Sequence, residues 1–175
     1  EGVDPGRRGG QFFNVVYNRR YGGDLEGVVE KLDELADLGV TGIYFNPIFR
    51  ARSLHKYDAS DFRHIDPTLA GSGEHGLVQS NQSVARETED PSTWTWSSAD
   101  RFLVDVLLPE AHKRGIRVIL DGVWNHVGLD FWAFRDVMER GRSSRYADWF
   151  NARFVPEDGA GLDEYRRTYP QLDIR

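Results

Sequence analysis

Six consecutive residues, Asp121-Gly122-Val123-Trp124-Asn125-His126, set a carboxylate, an amide and an imidazole close together. A second group, His55-Lys56-Tyr57-Asp58, adds another imidazole, an ammonium, a phenol and a carboxylate. A carboxylate can orient or hold a proton, and an imidazole changes charge near neutral pH. A tyrosine ring offers a flat apolar surface with a polar tip. Together these suit a ligand with an apolar face and a hydroxylated rim, such as a sugar ring. A metal centre built on Asp121, Asn125 and His126 is the weaker reading, because a neutral amide is a poor zinc ligand. His64, His75 and His112 show no metal-ligand spacing and read as surface or internally satisfied histidines.

The elements around these groups explain how they would be presented. Ala111-His112-Lys113-Arg114-Gly115 reads as the basic last turn of a helix closed by a glycine, and Ile116-Arg117-Val118-Ile119-Leu120 as a buried strand delivering Asp121. Upstream, Gln11 to Tyr17 reads as a first strand. Asp24 is placed to cap a helix in which Leu25, Val28, Val29, Leu32, Leu35, Ala36 and Leu38 recur at helical spacing, up to Gly39. Val40 to Phe45 is a second buried strand. An excursion from about Ile48 to Ser98 follows with little regular periodicity, and loops of that length are usually functional or disordered. Trp94 and Trp96 near its end read as packing residues ahead of a sugar platform. A helix is expected from about Ala99 to Arg114, bent or interrupted at Pro109, and a shorter one from Asp130 to Glu139 with Phe131, Phe134 and Met138 inward. Alternating strands and helices predict a parallel α/β domain. Consecutive parallel strands joined by right-handed crossovers are usually neighbours, so both polar groups should open on the carboxyl face of the sheet.

Composition narrows the function classes. The chain has 175 residues, a formal charge of −6, no cysteine and five tryptophans. A mildly acidic balance argues against a nucleic-acid footprint, and no apolar stretch approaches the roughly 18 residues of a membrane span. Without cysteine there are no disulfides, which leaves the redox compartment open. The single methionine is Met138, so residue 1 is expected to lie inside a longer parent chain.

On these residues the chain resembles glycoside hydrolase family 13, the α-amylase family, and within it the neopullulanase, cyclomaltodextrinase and maltogenic amylase group. The stretches that carry the resemblance are Tyr21-Gly22-Gly23-Asp24-Leu25-Glu26-Gly27, Leu38-Gly39-Val40 with Tyr44-Phe45-Asn46-Pro47-Ile48-Phe49, His55-Lys56-Tyr57-Asp58, Asp121 to His126, and Ser144-Arg145-Tyr146-Ala147-Asp148-Trp149-Phe150. They occur in the family's order over about residues 12 to 150. The resemblance implies a partial TIM (β/α)8 barrel, about strands 1 to 3 with their helices over residues 1–126. The segment 48–98 would be the long loop after strand 2, and 127–175 the start of the protruding domain after strand 3.

The resemblance also implies roles. Tyr57 would stack under the sugar at the cleavage subsite and His126 would hydrogen-bond one of its hydroxyls; Asp58 and His55 are further substrate-binding candidates, His55 reading equally as a cleft residue or a turn cap. Asp121 would be an active-site carboxylate that orients the centre. Asn125 holds a position that binds calcium in many α-amylases, and Gly22 and Asp24 hold positions of a second calcium site in some neopullulanase-like enzymes. Arg19 and Arg20 are poor neighbours for a hard dication and weigh against that second site. No organic cofactor is implied. The ligand would be an α-glucan oligosaccharide, with no nucleic acid and no membrane, and the parent would be a homodimer through an extra domain preceding residue 1. Family members cleave by a retaining two-carboxylate mechanism. No Gly-x-Arg-x-Asp nucleophile motif follows Asp121 in this chain, and a full barrel needs about 250 residues. The chain alone is therefore expected to be inactive. Transglycosylation by the same machinery and a non-catalytic, carbohydrate-binding scaffold are the alternatives for the parent.

Overall fold

The computed structural model describes residues 22–71, 84, 87–152 and 154. The strand expected at residues 11–17 lies outside them. The chain divides into two compact units, Glu1–Phe131 and Trp132–Arg175.

In the first unit, Asp24 caps helix α1 (Leu25–Glu30) by accepting the Gly27 N–H at 2.8 Å. The single helix expected from Leu25 to Leu38 is divided at Lys31, whose N–H bonds to the Val28 carbonyl, a tighter turn than the α pattern. Helix α2 (Leu32–Asp37) follows and ends before Gly39, which has φ +80°. Strand β1 (Gly42–Phe45) pairs in parallel with β4 (Arg117–Leu120), in the register Gly42↔Arg117 to Phe45↔Leu120. The Asp121 N–H extends this ladder to the Phe45 carbonyl at 3.1 Å. The two strands that were to carry the polar groups are thus neighbours.

The excursion between them contains regular structure that its sequence does not announce. Strands β2 (Phe49–Ala51) and β3 (Ala59–Ile65) form an antiparallel pair with irregular register. Asp61, Arg63 and His64 interrupt the apolar alternation by which a strand is recognised. They are tolerated because each is paired: Arg63 makes a forked contact to Asp61, and His64 lies between two carboxylates. Buried charge of this kind is stable only when paired.

The expected helix 99–114 forms as three joined segments. Helix α3 (Ser98–Arg101) opens with a reciprocal capping box between Ser97 and Asp100. A π-helical stretch (Phe102–Leu107) leads into helix α4 (Leu108–Lys113), and Pro109 sits in the first turn of α4. The Leu108 N–H reaches back to the Leu103 carbonyl, a wider loop of backbone than an α-helix makes. Mid-helix proline lacks an N–H and crowds the carbonyl four residues back. The wider turn just before Pro109 is where that constraint is absorbed. The helix is interrupted there without a break in direction of the chain.

These helices cover one face of the β1–β4 pair. Leu25, Ile48, Ile65, Ala99, Leu103 and Leu107 form one buried cluster. Leu32, Ala111 and Ile116 form another, and Val28, Val29 and Val118 touch both. Ile43 and Val118 are register partners, and both pack on the second cluster. On the opposite face their neighbours Tyr44 and Ile119 are 59% and 52% exposed. No described helix is long and apolar enough to cross a membrane.

The second unit contains helix α5 (Trp132–Arg140), which buries Ala133 and Val137. Phe134 meets Phe150 edge-on at 5.2 Å, but Met138, expected inward, is exposed. Ala133 and Val137, four residues apart, set the buried stripe. Trp132, Tyr146 and Trp149 pack mutually edge-to-face, with centroids 4.9–5.7 Å apart. Ser144 donates to Asp136 at 2.5 Å, tying the turn after α5 back to the helix.

Candidate active-site face

Tyr57, in the loop between β2 and β3, meets Asp121 at the carboxyl end of β4 across 64 residues of sequence. The Tyr57 hydroxyl donates to Asp121 Oδ2 at 3.0 Å. A second phenol, Tyr44 of β1, lies close enough to the same carboxylate to be affected by it. Asp121 is half-buried, and both tyrosine rings keep an exposed face. Hydrogen bonding to the Asp121 carboxylate raises both phenols above their ordinary value, because ionising either would place two negative charges side by side.

His55 and Tyr57 lie with ring centroids 5.9 Å apart, and the Tyr57 N–H donates to His55 Nδ1 at 3.2 Å. Asp58 turns inward to its own loop, accepting from the Ser53 N–H at 3.2 Å and from the Ser53 hydroxyl. It therefore shapes the loop and is committed there, whereas His55 and Tyr57 are presented to solvent. Asn125 and His126 are exposed, with Asn125 Nδ2 2.8 Å from His126 Nδ1. With the amide donating, the proton of neutral His126 rests on Nε2, which can then donate to a hydroxyl. The described structure places no bond between this pair and Asp121.

The loop after β4 docks beside the Tyr57 loop at Gly128. Its N–H donates to the Ala59 carbonyl at 2.8 Å, and a Cβ there would lie 2.3 Å from the Asp58 carbonyl oxygen. Only glycine fits that approach. Phe62 packs on Trp124 and Phe131 at 5.1 and 6.0 Å, which fixes the same junction through aromatic contacts.

At the two calcium positions the donors are few. Asn125 supplies one amide, Asp24 spends Oδ1 on the α1 cap, and Gly22 holds φ +96°. Among the described residues no group of three or more acidic, histidine or cysteine side chains could hold a metal ion. Calcium takes roughly six to eight oxygens, so these residues by themselves do not fit a calcium site.

Sequence reasoning missed two features. Tyr44 reads as one more apolar strand residue, and only the parallel register puts its hydroxyl at Asp121. Lys56 is buried and its Nζ lies 2.6 Å from Asp66 Oδ2, an ion-pair distance, although nothing in the stretch His55 to Asp58 signals a buried cation. His64, expected to be a surface or satisfied histidine, is the satisfied kind, with Nδ1 2.8 Å from Asp100 and Nε2 2.9 Å from Glu87. Burial works to lower its pKa, but the bonds to Asp100 and Glu87 outweigh burial and raise it. Trp94 and Trp96 remain largely exposed. The Trp94 indole donates to the Thr88 carbonyl at 3.0 Å, and the Arg63 guanidinium lies 5.1 Å from its ring centroid.

The chain has clear counterparts among known proteins. The family model described as the α-amylase catalytic domain matches residues 8–79 and 100–170. The chain is 45% identical over 152 residues to neopullulanase 2 of Thermoactinomyces vulgaris, covering 87% of this chain and 21% of that protein. It is 41% identical over 136 residues to a cyclomaltodextrinase of Geobacillus thermopakistaniensis, covering 78% of this chain and 18% of that protein. Among solved structures, the cyclic α-maltosyl-(1→6)-maltose hydrolase of Arthrobacter globiformis in complex with maltose superposes with a TM-score of 0.56 at 34% identity, over 78% of this chain and 24% of that one. The chain thus spans about a fifth of the length of the curated relatives it matches.

Proposed function

This chain belongs to the α-amylase catalytic-domain family, and on that footing we propose that it is the opening segment of the barrel of an enzyme that hydrolyses α-glucosidic linkages with retention. Maltodextrins, cyclodextrins, pullulan or related α-glucans are the substrates. Residues 1–126 supply the first strands and helices, and 127–175 begin the protruding domain. The observation that carries the reading is the Tyr57–Asp121 hydrogen bond, which joins the two strand-end groups that the family resemblance assigns to one cleavage subsite.

The chain's own residues bind and orient. The Tyr57 ring forms a floor for the sugar's apolar face, and the bond from its hydroxyl to Asp121 fixes the ring's tilt. His126 donates from Nε2 to a sugar hydroxyl, and His55 lines the cleft. Asp121 holds negative charge beside the reacting sugar and orients the groups around it. Proton transfer and nucleophilic attack belong to carboxylates outside this chain. The names of the similar proteins support the substrate class, since neopullulanase, cyclomaltodextrinase and a maltose-bound hydrolase all refer to α-glucans.

The experiment is an assay of the full parent protein on β-cyclodextrin, pullulan and maltotriose, with products resolved by chain length and by anomeric form. Release of α-anomeric products supports the retaining hydrolase. Products longer than the substrate would shift the reading to transglycosylation, and tight sugar binding without turnover would make the protein a scaffold. Asn125, Asp24 and Gly22 by themselves supply too few donors for calcium, so no step is assigned to it. Chelation of the purified parent protein with EGTA tests calcium at Asn125: a melting temperature lowered and then restored by added calcium supports it, and an unchanged one opposes it.

A further inference from the structure

We propose that Lys56, through its buried ion pair with Asp66, is the positioning residue that aims Tyr57 at Asp121. The functional consequence rests on the proposed role of Tyr57 at the sugar subsite; the positioning itself does not.

Among the described residues, Lys56 is the one non-glycine with positive φ, +59°. The left-handed region is unfavourable for an L-residue with a long side chain, and lysine has no short polar group to bond its own backbone there. Something must hold it. Its side chain is also in an uncommon place, 6% exposed, where lysine is rarely found unpaired. Both observations lead to the same contact, Lys56 Nζ to Asp66 Oδ2 at 2.6 Å.

Asp66 is a firm anchor. It follows directly on β3 and accepts the Ala51 N–H of β2 at 3.2 Å and the Thr68 N–H at 2.9 Å. Those two bonds fix the carboxylate to the base of the hairpin. Within the loop, the Lys56 N–H donates to Ser53 Oγ at 3.0 Å and Ser53 to Asp58, while Gly128 bonds to it from outside only at Ala59. They shape the loop, whereas Lys56–Asp66 reaches across the hairpin and sets the loop's orientation. With the ammonium drawn inward and the backbone left-handed at residue 56, the next side chain is turned outward, and its hydroxyl lands on Asp121.

A buried ion pair contributes little to net stability, and replacing both partners by uncharged residues of like size is often neutral. That separates positioning from folding. In the K56M/D66N double variant no unpaired charge is left buried and the amide oxygen keeps one of the two backbone bonds of Asp66, so the fold should persist while the loop loses its orientation. The first readout is the 13Cζ resonance of Tyr57 in ring-labelled full parent protein, with Y57F to assign it and D121N to show the signal of a phenol without the carboxylate bond. K56M/D66N is expected to move the Tyr57 signal most of the way to its D121N position with the melting temperature nearly unchanged. An unmoved signal in the folded double variant would overturn the proposal.

The second readout is kcat/KM on β-cyclodextrin. K56M/D66N should lower it roughly tenfold, the scale of one lost hydrogen bond, but should add almost nothing on a Y57F background. An equal loss on both backgrounds would mean that Lys56 acts elsewhere, and would also overturn the proposal. If the parent does not cleave β-cyclodextrin, the substrate reading fails while the Tyr57 resonance still decides the positioning.

Discussion

At the scale of single residues, the site is a carboxylate with two phenols beside it. Asp121 accepts from Tyr57 at 3.0 Å, and Tyr44 lies on the strand beside it. Each phenol must lose its proton next to that charge, so both titrate above the ordinary tyrosine value of 10. Substituting Asp121→Asn removes the charge and should bring both transitions down toward that value. Absorbance at the phenolate band against pH reads this directly, and a titration identical to wild type would show that the two hydroxyls do not meet Asp121. Asp58 accepts from Ser53 and so holds the shape of the loop that carries Tyr57. His55 and Tyr57 are what that loop shows to solvent.

At the scale of elements, the excursion is held to α3 by charge. His64 on β3 bridges Asp100 at the start of α3 and Glu87, and Arg63 reaches Glu87 at 3.2 Å. Burial favours neutral His64, but the two carboxylates prevail and raise its pKa above 6.5. A raised folded pKa contributes stability that is fully present below the unfolded value and lost as pH rises through the folded one. The carboxyls of Asp100 and Glu87 are lowered, with burial opposing and the bonds to His64 prevailing. Their contribution is present above their unfolded values of 3.8 and 4.5 and lost as pH falls through the folded ones. Stability from this network should therefore plateau between pH 4.5 and 6.5 and decline on either side. His64→Gln should remove the alkaline decline from melting curves of the full protein; a decline that survives would assign it to another group. Packing is the other bond between elements. Leu107 is fully buried in the cluster shared by α1 and the π-helical segment. Leu107→Ala is expected to cost about 2–5 kcal/mol in denaturant unfolding, and a loss well under 1 kcal/mol would mean the cluster repacks.

At the scale of the whole molecule, the first unit has one finished face and one unfinished one. The helices bury Ile43 and Val118, while Tyr44 and Ile119 face solvent, and among the described residues β1 and β4 pair only with each other. In a closed barrel of eight strands those outer edges are paired and that face is filled by other strands. The isolated 175 residues are thus expected to self-associate, to be cut readily by protease and to turn over no α-glucan. Size-exclusion chromatography with limited proteolysis checks this, and a monomer with a cooperative melt and a resistant core would refute it.

The sequence alone determined the order and kind of the main elements: the Asp24 cap, the helical stripe from Leu25, the strands ending at Phe45 and Leu120, and the proline constraint at residue 109. Each rests on local rules, a capping oxygen, a period of apolar residues or a missing N–H, and local rules are written in adjacent residues. The family was legible for the same reason, because its stretches are short and ordered. Other features were not legible. The β2–β3 hairpin carries Asp61, Arg63 and His64 where alternation would call for apolar residues; Asp61 and Arg63 pair with each other, and the burial of His64 depends on Glu87 and Asp100, far along the chain. Lys56 looks like a solvated charge until Asp66, ten residues on, is folded beside it. Tyr44 becomes a site residue only through its parallel register with β4. Tertiary structure decided these because a buried charge, or a hydroxyl's partner, is defined by proximity in space, which residue type and spacing along the chain do not specify.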